Sequence, residues 1–471
     1  MSDEVKEYCG LFGIFNHPDA ARLTHLGLYA LQHRGEESAG MVVSDGKVLR
    51  GFRGMGLVEE VFREERLVDL KGAAAIGHTR YSTTGSSHLK NAQPLQVDYS
   101  RGSLAIAHNG NLINAWLLRD ELEAHGSIFQ TTVDSEVILH LMARPTFRRF
   151  EDALVDSLQR ISGAFSLVIL REEELIGVRD PNGFRPLCLG RLGAATVLAS
   201  ETCALDLIGA EFVRELEPGE IVVINAQGIR SLKPFAPATP SHCIFEHVYF
   251  ARPDSVIFGE SVHLVRERLG QQLAREHPAQ ADLVMAIPDS GNSAAIGYAH
   301  ESGLPLEIGM ARNHYAGRTF IQPVQAVRDF RVKVKFNPVR AVLKGKRVVV
   351  VDDSIVRGTT CKARLKSIRD AGATEIHMRV SCPPIKHPCF YGIDFPTRGE
   401  LIACTHSLEE IRKFLEVDTL GYLSLEGMLG AVKGPQAHYC TACYSGRYPI
   451  PFGGEADKYI LERKTTGELK T

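Results

Sequence analysis

Long apolar runs, a strong net charge and the pattern of a secretory signal are all absent from this sequence. No run of about 18 or more consecutive apolar residues occurs, so the sequence predicts no membrane-spanning helix. The first eight residues lack the basic and apolar regions of a secretory signal, so we expect a cytoplasmic protein. Lys and Arg number 54 and Asp and Glu number 56. The resulting net charge of −2 gives no general attraction to nucleic acid or to an anionic membrane.

Cysteine is sparse as well. The 471-residue chain has 10 cysteines, which are too few for a scaffold held by disulfides. In a reducing compartment, cysteines that cluster are more often catalytic or metal-ligating. Hydrophobic residues at 44% and charged residues at 23% are typical of a globular protein. The length exceeds what one core fills and predicts about three domains or two large ones.

The first half of the sequence alternates short apolar segments with Gly-rich turns. Strands are predicted over 10–15, 39–43, 74–77, 103–107, 166–170, 196–200 and 221–224. Helices are predicted over 20–32, 115–123 and 134–143. Strands that are followed by helices and then by more strands indicate a layered α+β domain with antiparallel sheets. We place this domain at residues 9–235.

A Pro-rich stretch at 233–240 marks the boundary, because it can continue neither a helix nor a strand. Beyond it, predicted strands alternate with predicted helices. The strands are 283–287, 306–309, 347–351 and 375–380, and the helices are 293–302 and 360–371. This alternation, with strands that are apolar throughout, indicates an α/β domain built on a parallel, doubly wound sheet. We place it at residues 241–471.

Residues 346–360 predict a phosphate-binding loop. They form an apolar strand, two acids (Asp352 and Asp353), a turn and the start of a helix. Ligands of open α/β sheets bind at the carboxyl ends of strands, where backbone N–H groups at a helix start favour phosphate. The acids suit ribose hydroxyls and Mg²⁺ instead. The turn supplies Ser354, Arg357, Gly358 and Thr359. An ordinary acidic helix cap before a Ser/Thr turn is the structural alternative.

This loop resembles the phosphoribosyl diphosphate (PRPP) signature of the type I phosphoribosyltransferases. Residues 288–291 resemble the pyrophosphate loop of that fold, with Asp289 and Ser290 as binding groups. The resemblance implies that Ser290, Asp352 and Asp353 hold Mg²⁺. The basic segment 318–338, which lies between the two loops, is either a solvated face or a lid that closes cations over pyrophosphate.

Cys9 is followed at once by an apolar strand and would become the N-terminal residue if residues 1–8 were cleaved off as a propeptide. An N-terminal cysteine combines a thiol nucleophile with an α-amino base, whose reference pKa is about 7.7–8.0. The alternative is a small buried cysteine that opens an edge strand.

Five segments in the first half resemble the class II glutamine amidotransferases. They are Cys9 and residues 32–36, 77–82, 107–111 and 132–136. The resemblance implies that Arg80 pairs with the α-carboxylate of glutamine and Asp134 with its α-ammonium group. It also implies that the Asn109 side chain and the Gly110 N–H form the oxyanion hole. A bidentate cation, an acid and two neutral donors are the groups that this chemistry needs.

Cys440 and Cys443 form a C-x-x-C pair, and Cys243 and Cys389 could converge with it. By itself the pair indicates zinc, redox chemistry or coincidence. Together with the two domains, it resembles the propeptide-processed glutamine PRPP amidotransferases that bind a [4Fe–4S] cluster through four such cysteines. A four-thiolate zinc site is the alternative for the same residues. The other cysteines, Cys188, Cys203, Cys361, Cys382 and Cys404, are interpreted as core or incidental residues.

The whole pattern, from Cys9 to about residue 448, resembles the glutamine PRPP amidotransferase family. The resemblance implies a pentosyltransferase that converts glutamine, PRPP and water to 5-phosphoribosylamine, glutamate and pyrophosphate, the first committed step of purine biosynthesis. It further implies a homotetramer and feedback inhibition by purine nucleotides. Two alternatives stay open. One is another glutaminase-coupled enzyme, such as glucosamine phosphate synthase or asparagine synthetase, which would lack residues 348–360. The other is a non-enzymatic PRPP-sensing regulator, which would not need Cys9.

Overall fold

Two antiparallel sheets lie face to face in the first half of the chain. The computed structural model describes residues 9–81, 87–313, 336–395, 398–451 and residue 461. The strands of this half are β1 Gly10–Phe15, β2 Ser38–Ser44, β3 Leu49–Met55, β4 Ala74–Arg80, β5 Leu95–Tyr99, β6 Gly102–Leu112, β7 Gly163–Leu170, β8 Leu175–Arg179, β9 Cys188–Leu192, β10 Ala195–Ala199, β11 Glu211–Glu215, β12 Ile221–Asn225 and β13 Gly228–Leu232. One sheet has the order β11-β9-β10-β1-β4-β2-β3, and the other has the order β13-β12-β8-β7-β6-β5.

Helices cover the outer face of each sheet. They are α1 Ala20–Ala30, α2 Val58–Val61, α3 Glu64–Asp69, α4 Ala115–Ala124, α5 Glu136–Ala143, α6 Phe150–Arg160 and α7 Thr202–Ile208. Apolar side chains of both sheets, such as Leu11 and Val168, meet in the central core between them. A separate core lies between each sheet and its helices. The predicted α+β layers with antiparallel sheets are therefore confirmed.

The second half is built on a parallel sheet. Its strands are β14 His242–Cys243, β15 Val256–Ile257, β16 Glu260–Ser261, β17 Leu283–Ala286, β18 Met310–Arg312, β19 Phe336–Pro338, β20 Arg347–Asp352, β21 Glu375–Val380, β22 Thr419–Tyr422 and β23 Tyr439–Cys440. The helices are α8 Val262–Glu276, α9 Asn292–Ser302, α10 Arg340–Leu343, α11 Thr359–Asp370, α12 Ile402–Thr405, α13 Leu408–Leu415, α14 Leu425–Gly430 and α15 Ala442–Ser445. The main sheet has the order β17-β20-β21-β22, and all of its pairs are parallel. The carboxyl ends of β17 and β20 therefore meet at one edge.

In this half, one predicted strand is wrong and one long helix was missed. The predicted strand 306–309 is wrong, since only Leu306 forms a bridge, to Val284, and Ile308 is 75% exposed. Helix α8 was not predicted, although its Val265, Leu269 and Leu273 bury one apolar face at helical spacing. Most of the basic segment 318–338 lies outside the described residues.

A buried network of charges joins the two halves. Glu246 begins a π-helical turn, Glu246–Phe250, just after β14, and its carboxylate is fully buried. Arg34 donates to both of its oxygens, with Nη2 2.7 Å from Oε1 and Nη1 3.0 Å from Oε2. Arg185 Nη1 donates to Oε1 at 3.2 Å. Arg34 also pairs with Glu201, so opposite charges compensate one another away from water.

Helices α8 and α9 approach each other through glycines. A Cβ atom at Gly297 of α9 would lie 1.9 Å from the Glu267 carbonyl oxygen, and one at Gly270 of α8 would lie 1.9 Å from that of Ala294. We predict that Gly297→Ala pushes the helices apart and lowers the free energy of unfolding by about 1–3 kcal/mol. Gly430→Ala is the matched control, because a Cβ added at this helical glycine would meet nothing within 4 Å. Urea denaturation followed by circular dichroism measures both, and equal midpoints for the two variants would contradict the close-packing account.

Candidate active sites

Cys9 lies immediately before β1, the strand between β10 and β4 in its sheet. Its side chain is only 7% exposed, and its Sγ is 3.7 Å from the Tyr81 carbonyl oxygen. Arg34 Nε donates to the Cys9 carbonyl at 3.3 Å. Burial raises the pKa of the Cys9 thiol to about 11, although the positive charge of Arg80 opposes the shift. The thiol therefore stays protonated at neutral pH and needs a base before it can attack a carbonyl.

Charged groups from three segments surround this thiol. The charges of Arg80, Glu37 and Asp134 all act on it. Arg80 ends β4 and forms a nearly buried ion pair with Glu37. The predicted pair of a cation and an acid, Arg80 and Asp134, is thus brought to one place. Glu37, which was not predicted from the sequence, directly follows the segment 32–36.

Asp134 is held as a carboxylate. Its Oδ2 accepts from the Leu112 N–H and its Oδ1 from the Ser135 N–H, both at 2.8 Å. His108 Nδ1 lies 3.4 Å from Oδ1. Burial opposes ionisation, but His108 and the two N–H groups hold the pKa of Asp134 below its usual value. Its negative charge is therefore present at neutral pH and is lost only when the pH falls below that lowered pKa.

Asn109 and Gly110 lie side by side on β6, in the sheet that faces Cys9. Asn109 is fully buried, and neither its Oδ1 nor its Nδ2 has a hydrogen-bond partner within the described part of the chain. Buried amides are normally satisfied, so this one has an unused donor. Gly110 has φ +145°, and a Cβ there would lie 2.0 Å from the Ala164 carbonyl oxygen. Only glycine fits this position of the strand.

The second site lies at the carboxyl edge of the parallel sheet. Asp352 ends β20 and Asp353 follows it, and both are buried. Asp353 N–H donates to Asp352 Oδ1 at 3.0 Å, and Ser354 Oγ donates to Asp353 Oδ2 at 2.6 Å. Burial, reinforced by the charge of Asp353, raises the pKa of Asp352 well above its usual value. Two acids this close favour a cation, and Mg²⁺ is commonly held by one or two carboxylates together with substrate phosphates.

The predicted turn follows directly. Gly358 has φ +82°, and Thr359 begins the 12-residue helix α11. Arg357 Nη2 donates to Glu400 Oε1 at 3.0 Å. The N-terminus of α11 therefore opens beside the two acids. Its backbone N–H groups are suited to bind an anion such as phosphate.

The other predicted loop, 288–291, packs against the end of β20. The Ile287 N–H donates to the Val351 carbonyl at 2.8 Å, and a Cβ at Gly291 would lie 2.5 Å from that same oxygen. Ser290 is partly exposed, and Asp289 is exposed and ion-paired with Arg312. The structure therefore brings the two predicted phosphate loops together at one edge of the sheet.

The four predicted ligand cysteines also converge. Cys243 of β14 lies opposite Cys440 of β23 in a parallel pair. Burial raises the pKa of the Cys443 thiol well above its usual value, and the charges of Cys243, Cys389 and Cys440 reinforce this shift. Among the described residues, no three His, Cys, Asp or Glu side chains form a group that could hold a metal ion. One zinc ion would need its sulfurs about 2.3 Å away in a tetrahedron. In a [4Fe–4S] cluster each cysteine binds a different iron.

Three other residues near these sites were not predicted from the sequence. Arg34 lies inside the segment 32–36, yet only the fold shows that it contacts both the Cys9 carbonyl and Glu246. Arg266 of α8 is buried, and burial lowers its pKa to about 10, although the charge of Asp353 opposes the shift. No short motif marks Glu246 or Arg266, because their partners are distant in sequence.

Among the described residues, no helix is both long and apolar enough to cross a membrane.

Comparisons with known proteins identify relatives over nearly the whole chain. A family model described as a glutamine amidotransferase domain matches residues 78–207. The chain is 52% identical over 447 residues to the chloroplastic amidophosphoribosyltransferase of Glycine max, covering 94% of this chain and 79% of that protein. It is 49% identical over 457 residues to the amidophosphoribosyltransferase of Bacillus subtilis, covering 95% of this chain and 96% of that protein.

A solved structure of the glutamine PRPP amidotransferase from B. subtilis, complexed with ADP and GMP, superposes with a TM-score of 0.91. It is 48% identical in sequence and covers 95% of this chain and 99% of that chain. The expected fold class, a class II glutamine amidotransferase domain followed by an α/β phosphoribosyltransferase domain, is thereby confirmed. About half of the residues are identical over nearly the whole length, and the chain therefore belongs to the amidophosphoribosyltransferase family, whose transferases catalyse the first step of purine biosynthesis.

Proposed function

We propose that the residues around Cys9 release ammonia from glutamine and that the edge of the parallel sheet transfers it to PRPP. The overall reaction converts glutamine, PRPP and water to 5-phosphoribosylamine, glutamate and pyrophosphate. The main support for this assignment of residues comes from the side-chain amide of Asn109. It is fully buried and has no hydrogen-bond partner among the described residues. It lies on the strand that also carries Gly110, in the sheet facing the Cys9 thiol.

In the first half-reaction, glutamine binds with its α-carboxylate on Arg80 and its α-ammonium group on Asp134. The sulfur of Cys9 attacks the side-chain amide carbon, and the α-amino group freed by loss of residues 1–8 takes the thiol proton and passes it to the leaving nitrogen. Asn109 Nδ2 and the Gly110 N–H donate to the oxyanion as it forms. Ammonia leaves, and water hydrolyses the γ-glutamyl thioester to glutamate.

In the second half-reaction, the turn formed by Ser354, Arg357, Gly358 and Thr359 binds the phosphate of PRPP. Asp352 and Asp353 bind the ribose hydroxyls, while Asp289 and Ser290 belong to the loop that holds pyrophosphate. The nitrogen of ammonia bonds to C1 of the ribose as the bond from C1 to pyrophosphate breaks, with inversion. Mg²⁺ bound by Ser290, Asp352 and Asp353 would neutralise the leaving pyrophosphate.

We further propose that the chain belongs to the subset that matures by cleavage of residues 1–8 and binds a [4Fe–4S] cluster through Cys243, Cys389, Cys440 and Cys443. Neither half-reaction needs electron transfer, so the cluster would have a structural or oxygen-sensing role. Three of the four cysteines are buried and Cys389 is half-buried, and their mutual proximity supports this proposal. Structural zinc is the alternative.

We propose domains at residues 9–235 and 241–471, a homotetramer and a cytoplasmic location. Because the B. subtilis relative was solved in complex with ADP and GMP, we propose that purine nucleotides bind to and inhibit this chain.

We predict that Asn109→Ala lowers glutamine-dependent formation of product by about 10²–10³-fold, since it removes one donor to the oxyanion. Ammonia-dependent release of pyrophosphate from PRPP should be unchanged, because that reaction bypasses Cys9. Assays of glutamate and of pyrophosphate on the same preparation measure both.

Asp352→Asn is the reciprocal variant. It should abolish release of pyrophosphate with either nitrogen source and retain hydrolysis of glutamine. Equal loss of both activities in Asn109→Ala would contradict the assignment of Asn109. Absence of both activities from processed wild-type protein would favour a PRPP-sensing regulator.

We predict that protein purified without oxygen lacks residues 1–8 and contains about four irons and four sulfides per chain. Cys443→Ser should lose the iron, whereas Cys404→Ser, at a half-buried cysteine outside the set, should keep it. Intact-mass analysis and metal analysis on one sample give both answers. An uncut chain with one zinc would contradict the proposed subset.

A further inference from the structure

A loop of the second half touches the strand that carries the proposed oxyanion hole. Residues 389–392 lie between β21 and α12 and include Cys389. Asn111 Nδ2, on β6, donates to the Phe390 carbonyl at 3.0 Å. The loop therefore hydrogen-bonds to the residue next to Gly110.

Gly392 makes the closest approach. It has φ +107°, and a Cβ there would lie 3.0 Å from both the carbonyl carbon and the carbonyl oxygen of Gly110, and 3.2 Å from its Cα. Two glycines from different halves of the chain thus meet backbone against backbone. A side chain at Gly392 would displace Gly110 or the loop by a few tenths of an ångström.

The loop is firmly held at its centre. The ring of Tyr391 stacks on that of Phe184, with centroids 4.3 Å apart. Arg185 Nη2 donates to the Tyr391 carbonyl at 2.8 Å, and the same guanidinium binds Glu246. The Tyr391 hydroxyl donates to the Ile450 carbonyl at 2.8 Å and accepts from the Ile450 N–H at 3.0 Å. These contacts fix the position from which Gly392 meets Gly110.

We propose that Gly392 is a positioning residue for the glutamine reaction, because it sets the place of the Gly110 backbone in the oxyanion hole. The Phe390 carbonyl holds the same strand through Asn111. This inference rests on the proposed role of Gly110. If so, the glutamine site around Cys9 is completed by the second half of the chain, because residues 389–392 pack against β6, the strand that carries Asn109 and Gly110.

The test is Gly392→Ala in the full-length enzyme, with Gly434→Ala as the matched control. Gly434 also has a positive φ, +85°, but its added Cβ would meet nothing within 4 Å. We expect Gly392→Ala to lower kcat for glutamine hydrolysis by about tenfold or more, because small displacements of catalytic groups are costly. The KM for glutamine and the ammonia-dependent reaction should match those of Gly434→Ala.

A second variant keeps the proposal testable if Gly392→Ala does not fold. Asn111→Ala removes the bond to the Phe390 carbonyl and should also lower kcat rather than raise KM. Unchanged kcat in Asn111→Ala and in any folded Gly392→Ala, measured against Gly434→Ala, would overturn the inference. Failure of the proposed role of the oxyanion hole is seen separately, as full glutamine-dependent activity in Asn109→Ala.

Discussion

The buried carboxylate of Glu246 is the contact on which the arrangement of the two sites depends. It lies between Arg34, from the glutamine half, and Arg185, which also holds the Tyr391 carbonyl. Removing one partner of such a buried pair costs about 3–5 kcal/mol, since it leaves a charge without compensation. The two halves are therefore held together, and each site lies in a fixed position relative to the other half of the chain.

Glu246 is linked to the residues of the proposed glutamine site by two short chains of contacts. Through Arg34, it reaches the carbonyl of Cys9, the residue whose sulfur is the proposed nucleophile. Through Arg185 and Tyr391, it reaches the loop that packs against Gly110. In the proposed reaction, ammonia is released beside backbone that belongs to the half that consumes it. Ammonia that escaped to water would be protonated and lost as a nucleophile, so a closed junction serves the reaction.

The local parts of both sites were predictable from the sequence because each lies within a few consecutive residues. The strand that ends in Asp352 and the turn at Gly358 are read directly, since apolar strands and Gly-containing turns follow local rules. Asn109 and Gly110 were identified as a pair through the resemblance of five segments to the class II glutamine amidotransferases, since Asn-Gly alone is more often only a turn. The class of each half was also predictable, because the order of strands and helices decides it.

The long-range parts were not predictable. Glu246 and Arg34 are separated by 212 residues, and no local pattern marks their pairing. The contact between Gly392 and Gly110 depends on how two separately folded halves meet. Helix α8 was missed because its polar residues outnumber the apolar stripe that packs on α9. Segment 306–309 looked like a strand from its apolar residues, yet Ile308 faces solvent.

The central proposal is that the close junction of the two halves keeps ammonia released near Cys9 from mixing with the solvent before it reaches PRPP. It is tested most directly with glutamine labelled with nitrogen-15 in the side-chain amide, in the presence of PRPP and an excess of unlabelled ammonium whose own rate of product formation is measured without glutamine. The account predicts that the 5-phosphoribosylamine formed, after subtraction of that measured background, keeps the full nitrogen-15 content of the glutamine. Product whose label is diluted toward that of the ammonium in solution would contradict it.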